Sequence, residues 1–189
     1  MEKEIILEYL NNNKVNNSEV LIEFLNNNKE HYSRNNLFGH ITGSAFIVDN
    51  EMKNGLLILH KKYNKWLSPG GHVDENETSL MAAMRESGEE VGLNKLDLLI
   101  PKILDIDIHR VPESLKNGKV EPEHWHFDIR YIFKAQKEAV VDLNIFEAKG
   151  FKWNELKDMS TFEDVSVKRQ AIKAIEIINK IKNKKKLKP

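Results

Sequence analysis

The sequence predicts an α/β domain, strands covered by helices, with a short helical extension at its N-terminus. Three observations lead there. Short apolar runs bounded by turn residues alternate with helical periodicity over Thr78 to Val91 and again beyond Ser160. A Pro69-Gly70-Gly71 joint separates strand-like from helix-like texture. With 189 residues, 40% of them hydrophobic, the chain can bury one ordinary core.

The first 36 residues hold ten asparagines, and between them lie two apolar segments, Ile5 to Leu10 and Val20 to Leu25. These read as two short helices with polar joints, the second capped by Ser18. From Gly39 onward, Ser44 to Val48 and Leu56 to Leu59 read as strands joined through the turn dipeptide Asn54-Gly55. The helix from about Thr78 stops at Gly92. Leu96 to Val111 and His124 to Phe133 alternate as strands, and Phe151-Lys152-Trp153 is placed to close the sheet. A last helix starts at Ser160 or Thr161, with Asp164 positioned for a capping box if Thr161 is the cap. It carries Ala171, Ile172, Ala174, Ile175, Ile178 and Ile181 on its inner side. The division expected is an extension over residues 1–35, one domain over 36–182, and a basic tail over 183–189.

Composition excludes several classes. There is no cysteine, hence no disulfide framework, no zinc–thiolate site and no thiol nucleophile. No apolar run approaches a membrane span and Met1 to Glu4 lacks a leader's pattern, so a cytoplasmic location without membrane contact is expected. Twenty-nine basic and 29 acidic residues cancel. That zero conceals two parts, because the last ten residues hold six lysines and no acid, leaving 23 basic against 29 acidic groups before them, a balance of −6. The lysine-rich end suits a solubilising helix terminus, and a nucleic-acid partner is not expected.

Residues 71–93 carry the chemistry. On a helical wheel Glu86, Glu89 and Glu90 share one face, with small Ala82 between them, while Leu80, Ala83, Met84, Ser87 and Val91 form a separate packing stripe. Like charges at i, i+4 disfavour a helix by roughly 0.2–0.5 kcal/mol per pair, so this face is not there for helix stability. Oxygen-rich clusters of this kind suit Mg²⁺ or Mn²⁺; the plain alternative is a solvated acidic face.

The wider spacing decides between them. Gly71, Glu77, Arg85, Glu86, Glu89, Glu90, Gly92 and Leu93 fall at the positions of a Nudix box, and the chain resembles that hydrolase family, with one departure at Ser87, where an aliphatic residue is expected. The resemblance implies an α/β/α sandwich around a mixed sheet and a divalent-metal-dependent pyrophosphohydrolase. Such an enzyme cleaves a nucleoside diphosphate linked to another moiety by water attack on phosphorus. It implies Glu86, Glu89 and Glu90 as metal ligands, with the Gly71 carbonyl as a further one, and Glu77, Arg85 and Gly92 as structural members of the box. Glu147, six residues before Trp153, matches a loop carboxylate of many relatives. Any of Glu86, Glu89, Glu90 and Glu147 is a candidate base. Ser87 with Gly88 is read as letting the helix sit close to the sheet.

His40, His72, His109, His124 and His126 fall where a cleft is expected. On the strand from His124, residues His124, His126, Asp128 and Arg130 share one face, which is either solvated or faces substrate or a second metal. His72, His126 and Arg130 are the candidate substrate contacts. Two other readings remain: an enzyme similar to isopentenyl diphosphate isomerase, disfavoured because those enzymes use a cysteine, and a nucleotide-sensing module, which typically loses box glutamates. Partners expected are a small nucleotide-type diphosphate and a second copy of the chain. The substrate tags of ADP-ribose, diadenosine polyphosphate and NADH enzymes are absent.

Overall fold

The computed structural model describes residues 2–116, 118–136 and 139–186. Two helices, α1 (Glu2–Asn12) and α2 (Ser18–Asn27), come first. Four strands follow: β1 (Gly39–Val48), β2 (Asn54–His60), β3 (Lys65–Leu67) and β4 (Gly70–His72). Helix α3 (Ser79–Val91) leads into β5 (Leu96–Leu98), β6 (Asp105–Val111), β7 (Ser114–Lys116), β8 (Lys119–Glu121) and β9 (His124–Ala135). The chain then forms β10 (Ala148–Glu155), the short α4 (Leu156–Met159) and α5 (Val165–Lys186).

The sheet runs β10-β2-β1-β9-β5, and it forks: β3 adds to β2, β4 to β1 and β6 to β9. The β1–β9 pair at its centre is parallel, from Gly39↔Trp125 to Val48↔Lys134, and its neighbours are antiparallel. The mixed sheet lies between α3 on one face and α5 on the other, as expected of an α/β/α sandwich. Odd-numbered residues of β1 and β9, among them Ile41, Ala45, Phe127 and Ile129, belong to the core on the α3 side. Phe46, Val48 and Ile132 on the other face meet Ala171, Ala174 and Ile178 of α5. Along α5, Ile172 is 40% exposed rather than inward.

The N-terminal helices pack into the α3-side core. Ile6, Leu10, Leu21, Phe24 and Leu25 are buried there, and Phe24 stacks on Phe127 with ring centroids 4.7 Å apart. Ser18 is the first residue of α2, not its cap; Asn17 precedes it in left-handed conformation (φ 59°) without a side-chain cap bond.

Other local expectations are refined. Asn54-Gly55 lies inside β2, and the turn is made by Asp49, whose carboxylate accepts from the backbone N–H of Lys53 and Asn54 at 2.7 and 3.2 Å. Gly55 packs closely there: a Cβ would lie 2.8 Å from the Met159 sulfur, so that side chain would have to shift. The stretch from Leu96 to Val111 breaks around Pro101, which offers no N–H, into β5 and β6. Asp164 is itself the cap of α5, accepting from Ser166 and Val167 N–H at 3.0 and 2.9 Å. Of the expected basic tail, residues 183–186 continue α5 and residues 187–189 lie outside the described residues. No described helix is long and apolar enough to cross a membrane.

Candidate active site

Helix α3 is fixed at both ends. Thr78 caps its start, accepting from Met81 N–H at 3.3 Å, and Gly92 ends it in left-handed conformation, φ 70°, with its N–H on the Gly88 carbonyl. Its start has a second anchor that sequence reading misses. Glu2 reaches across from α1, accepts from the Ser79 backbone N–H at 3.1 Å, and takes further hydrogen bonds from the hydroxyls of Ser79 and Tyr32. A carboxylate at a helix N-terminus is favoured by the unsatisfied N–H groups there.

The helix meets the sheet at Gly43 of β1, where a Cβ would stand 2.0 Å from the Ser79 carbonyl oxygen. This close approach is therefore made by Gly43; Gly88 faces Asn94. Ser87 is fully buried, and its hydroxyl donates to the Ala83 carbonyl at 2.7 Å, which satisfies it without a water. Met84, expected in the packing stripe, is 42% exposed.

On the acidic face of α3, Glu90 is buried and its Oε2 accepts from the Gly70 N–H at 2.8 Å. Burial pushes its carboxyl up to about 8 against the Gly70 hydrogen bond, and the charges of Glu86, Glu147 and Glu89 add to the rise. Glu86 is buried beside it and also raised, by burial first, with Arg85 opposing. Its carboxylate lies against Gly71, where a Cβ would sit 2.2 Å from Oε1. Only glycine leaves that carboxylate in place.

Arg85 ties the loop to the helix. Its Nε donates to Glu77 at 3.0 Å, Nη2 to Glu77 and to the His72 carbonyl at 3.0 and 2.8 Å, and Nη1 to Glu86 and Glu89 at 2.9 and 3.2 Å. Those hydrogen bonds hold the Glu77 carboxyl below its ordinary value.

Glu147 comes from the loop before β10. It is exposed, and its charge adds to the upward shift of both Glu86 and Glu90, so it lies on the same side of α3 as the helix carboxylates. The loop hangs on the carbonyls that the helix leaves unpaired, with Asp142 N–H on Val91 at 3.0 Å and Asn144 N–H on Glu90 at 2.8 Å. Asn144 also donates to the Glu147 carboxylate at 3.3 Å and accepts from Phe146 N–H. An Asx turn three residues before the glutamate is the sequence signal that marks this asparagine.

On the α5 side of the sheet the polar faces of β1 and β9 are largely buried, with His40, His124, Asp128 and Arg130 buried and His126 half-buried, whereas His109 of β6 is exposed. His40 of β1, His126 of β9 and His109 of β6 stand in register across three strands, with His124 two residues before His126. His72 joins from β4, its ring centroid 4.9 Å from that of His40 and 5.3 Å from that of His126. His40 is 2% exposed and, among the described residues, neither ring nitrogen has a hydrogen-bond partner, a state that costs about 1–3 kcal/mol if left uncompensated. Burial pushes His40 down to about 4 and His126 to about 2, with the neighbouring imidazoles adding.

Arg130, a candidate phosphate contact from sequence, is buried in an ion network. Its guanidinium donates to Asp128 at 2.7 Å, Asp105 at 3.3 Å and the Ser166 hydroxyl at 2.7 Å, and pairs with Asp107 at 3.3 Å. Arg169 and Lys173 of α5 join from the other side, so three acids face three bases.

A family model supplies the remaining observation: the NUDIX domain matches residues 40–175. The chain belongs to the Nudix family. It is a Nudix hydrolase, a pyrophosphohydrolase acting on phosphoric anhydride bonds, and members of the family use divalent metals. The chain is similar to an RNA pyrophosphohydrolase of Sulfurovum, 31% identical over 117 residues, covering 58% of this chain and 72% of that one. It resembles equally an asymmetrical bis(5'-nucleosyl)-tetraphosphatase of Caenorhabditis elegans, 31% identical over 111 residues, 57% and 72% of the two chains. Among solved structures, a NUDIX-family hydrolase from Clostridium perfringens aligns at 29% identity with a TM-score of 0.52, over 75% of this chain and 97% of its own. The dihydroneopterin triphosphate pyrophosphohydrolase of Escherichia coli shares the fold, with a TM-score of 0.57 at 20% identity over 80% and 99% of the two chains.

Proposed function

We propose that this Nudix hydrolase cleaves nucleoside diphosphates linked to another moiety, with Mg²⁺ or Mn²⁺, and that the four-carboxylate cluster is its active site. The observation that carries this is the burial of Glu86 and Glu90 side by side, with Glu89 and Glu147 completing the cluster. Two neighbouring buried carboxylates are unfavourable as anions, and a hard divalent cation is the partner that their oxygen donors fit. Glu86, Glu89, Glu90 and the Gly71 carbonyl would hold it. When bound, it neutralises the diphosphate, acidifies water and steadies the leaving phosphate.

The protein's own groups then have separate tasks. Arg85 and Glu77 hold β4 against α3, so that Gly70 and Gly71 stay under Glu90 and Glu86. Among the catalytic candidates Glu147 is assigned the proton acceptor, because Glu86 and Glu89 are engaged by Arg85 and Glu90 by Gly70, while among the described residues the Glu147 carboxylate accepts a hydrogen bond from the Asn144 amide alone. Arg130 is assigned to the framework rather than to phosphate, its donors being taken up. Residues 36–182 form the catalytic domain in this reading, and a cytoplasmic location belongs to it as well.

The test is a phosphate-release screen over nucleotide sugars, dinucleotides, dNTPs and capped RNA, with and without Mg²⁺ or Mn²⁺. Metal-dependent release from at least one class is expected, lost in Glu90→Gln. Glu147→Gln should lower kcat by about 10²–10⁴ with metal affinity kept. Silence on every substrate together with tight nucleotide binding would turn the reading toward a sensor.

A further inference from the structure

We propose that His40, His124 and His126 form a second metal site, separate from the carboxylate cluster and suited to a borderline transition metal such as Zn²⁺, with His72 at its rim. One ring nitrogen from each of the three lies within 4.8 Å of the others. Zinc–nitrogen bonds of about 2.0–2.1 Å place tetrahedral ligand atoms roughly 3.4 Å apart, so small rotations of the imidazoles close the set.

Three further features point to a ligand. His40 is buried with both ring nitrogens unpartnered among the described residues, and a metal supplies the missing contact. His124 Nδ1 stands 2.8 Å from the Pro122 carbonyl, which can only accept, so the ring carries its proton there and Nε2 presents a lone pair. That lone pair faces Nε2 of His126 at 3.2 Å, where two convergent nitrogens need either a shared proton or a shared cation. The donor set contains imidazole alone, which favours Zn²⁺, Co²⁺ or Ni²⁺ over Mg²⁺. At the edge of the cluster His109 is oriented by Asp107 at 3.0 Å, the carboxylate–histidine pairing that surrounds many metal centres.

The site's position gives it a task. Strand β4 has the Glu side on one face and the His side on the other: Gly70 N–H holds Glu90, and the His72 ring reaches His40 and His126. An ion held by the histidines would tie β1 to β9, with the His72 ring of β4 against two of its ligands, so it would act on the hydrolytic site by positioning.

The experiment uses full-length protein stripped with chelator and titrated with Co²⁺, whose visible absorption reports nitrogen ligation, followed by competition with Zn²⁺. We expect one equivalent with a tetrahedral-type spectrum, retained in Glu90→Gln and displaced by Zn²⁺ but not by excess Mg²⁺. His126→Ala should weaken binding at least a hundredfold. His40→Phe, which fills the same buried space without nitrogens, should do the same while keeping the wild-type circular dichroism. Unchanged Co²⁺ affinity in a folded His40→Phe, or Co²⁺ binding that vanishes with Glu90→Gln, would overturn the proposal. The readout is spectroscopic, so its failure is distinct from failure of the hydrolase assay.

Discussion

Replacing Glu90 by glutamine should stabilise the metal-free protein, and more so as pH rises. In the unfolded chain Glu90 ionises at its ordinary value of 4.5, whereas in the fold burial and the neighbouring carboxylates move it to about 8. Between those values the native state binds the extra proton, so stability falls as pH rises through this window; below 4.5 no cost exists, and above 8 it is complete. At about 1.4 kcal/mol per pH unit the full cost is about 5 kcal/mol, and relaxation and residual hydration reduce it to about 2–4 kcal/mol. Glutamine keeps an oxygen for the Gly70 N–H and removes the charge. Glu90→Gln should therefore match the wild type near pH 5 and exceed it near pH 9 by about 5–15 °C in Tm, taking 2–4 °C per kcal/mol for a chain of this size. Melts in chelator across that range measure it. Mg²⁺ should raise the wild-type Tm at pH 8 and leave the variant unmoved. A difference between the two proteins that does not vary with pH would refute the reasoning.

Three other outcomes follow from the same geometry. Gly71→Ala places a Cβ against Glu86, so turnover should fall at least a hundredfold while circular dichroism is unchanged, with a stability loss of about 1–3 kcal/mol in urea titration. Arg85→Lys cannot reproduce a fork shared among Glu77, the His72 carbonyl and the helix carboxylates, and should lower stability by about 2 kcal/mol in thermal melts and raise the KM for Mg²⁺. Glu2→Gln removes the charge that faces the first turn of α3 and should cost about 1 kcal/mol, visible as faster hydrogen exchange in that turn before any global change.

What was legible in the sequence is what short-range physics decides. The limits of α3 follow from its period, its Thr78 cap and its left-handed Gly92, and the three helix carboxylates follow from the wheel. Errors arose where a distant element overrides a local preference. Asn54-Gly55 has turn chemistry, yet it lies inside β2 under Met159, and Asp49 makes the turn. Met84 sits on an apolar wheel position, yet it is 42% exposed. Strand alternation put His124, His126, Asp128 and Arg130 on one face; only the register of β1 and β6 on β9 brings His40 and His109 to His126 and three aspartates to Arg130. Glu2 was invisible for the same reason, because its partners Ser79 and Tyr32 belong to other elements.

The parallel β1–β9 pair also sets an order of assembly. Closing it encloses every element from β2 to β8, and non-local parallel pairing is slow compared with helix or hairpin formation. Glu86, Glu89 and Glu90 lie within one helical segment, whereas Glu147 reaches them only when β10 docks on β2. A nascent chain or a kinetic intermediate that lacks this edge strand carries the acidic helix without its fourth carboxylate. If the carboxylate cluster is the hydrolytic site, recovery of activity during refolding should lag recovery of helical signal.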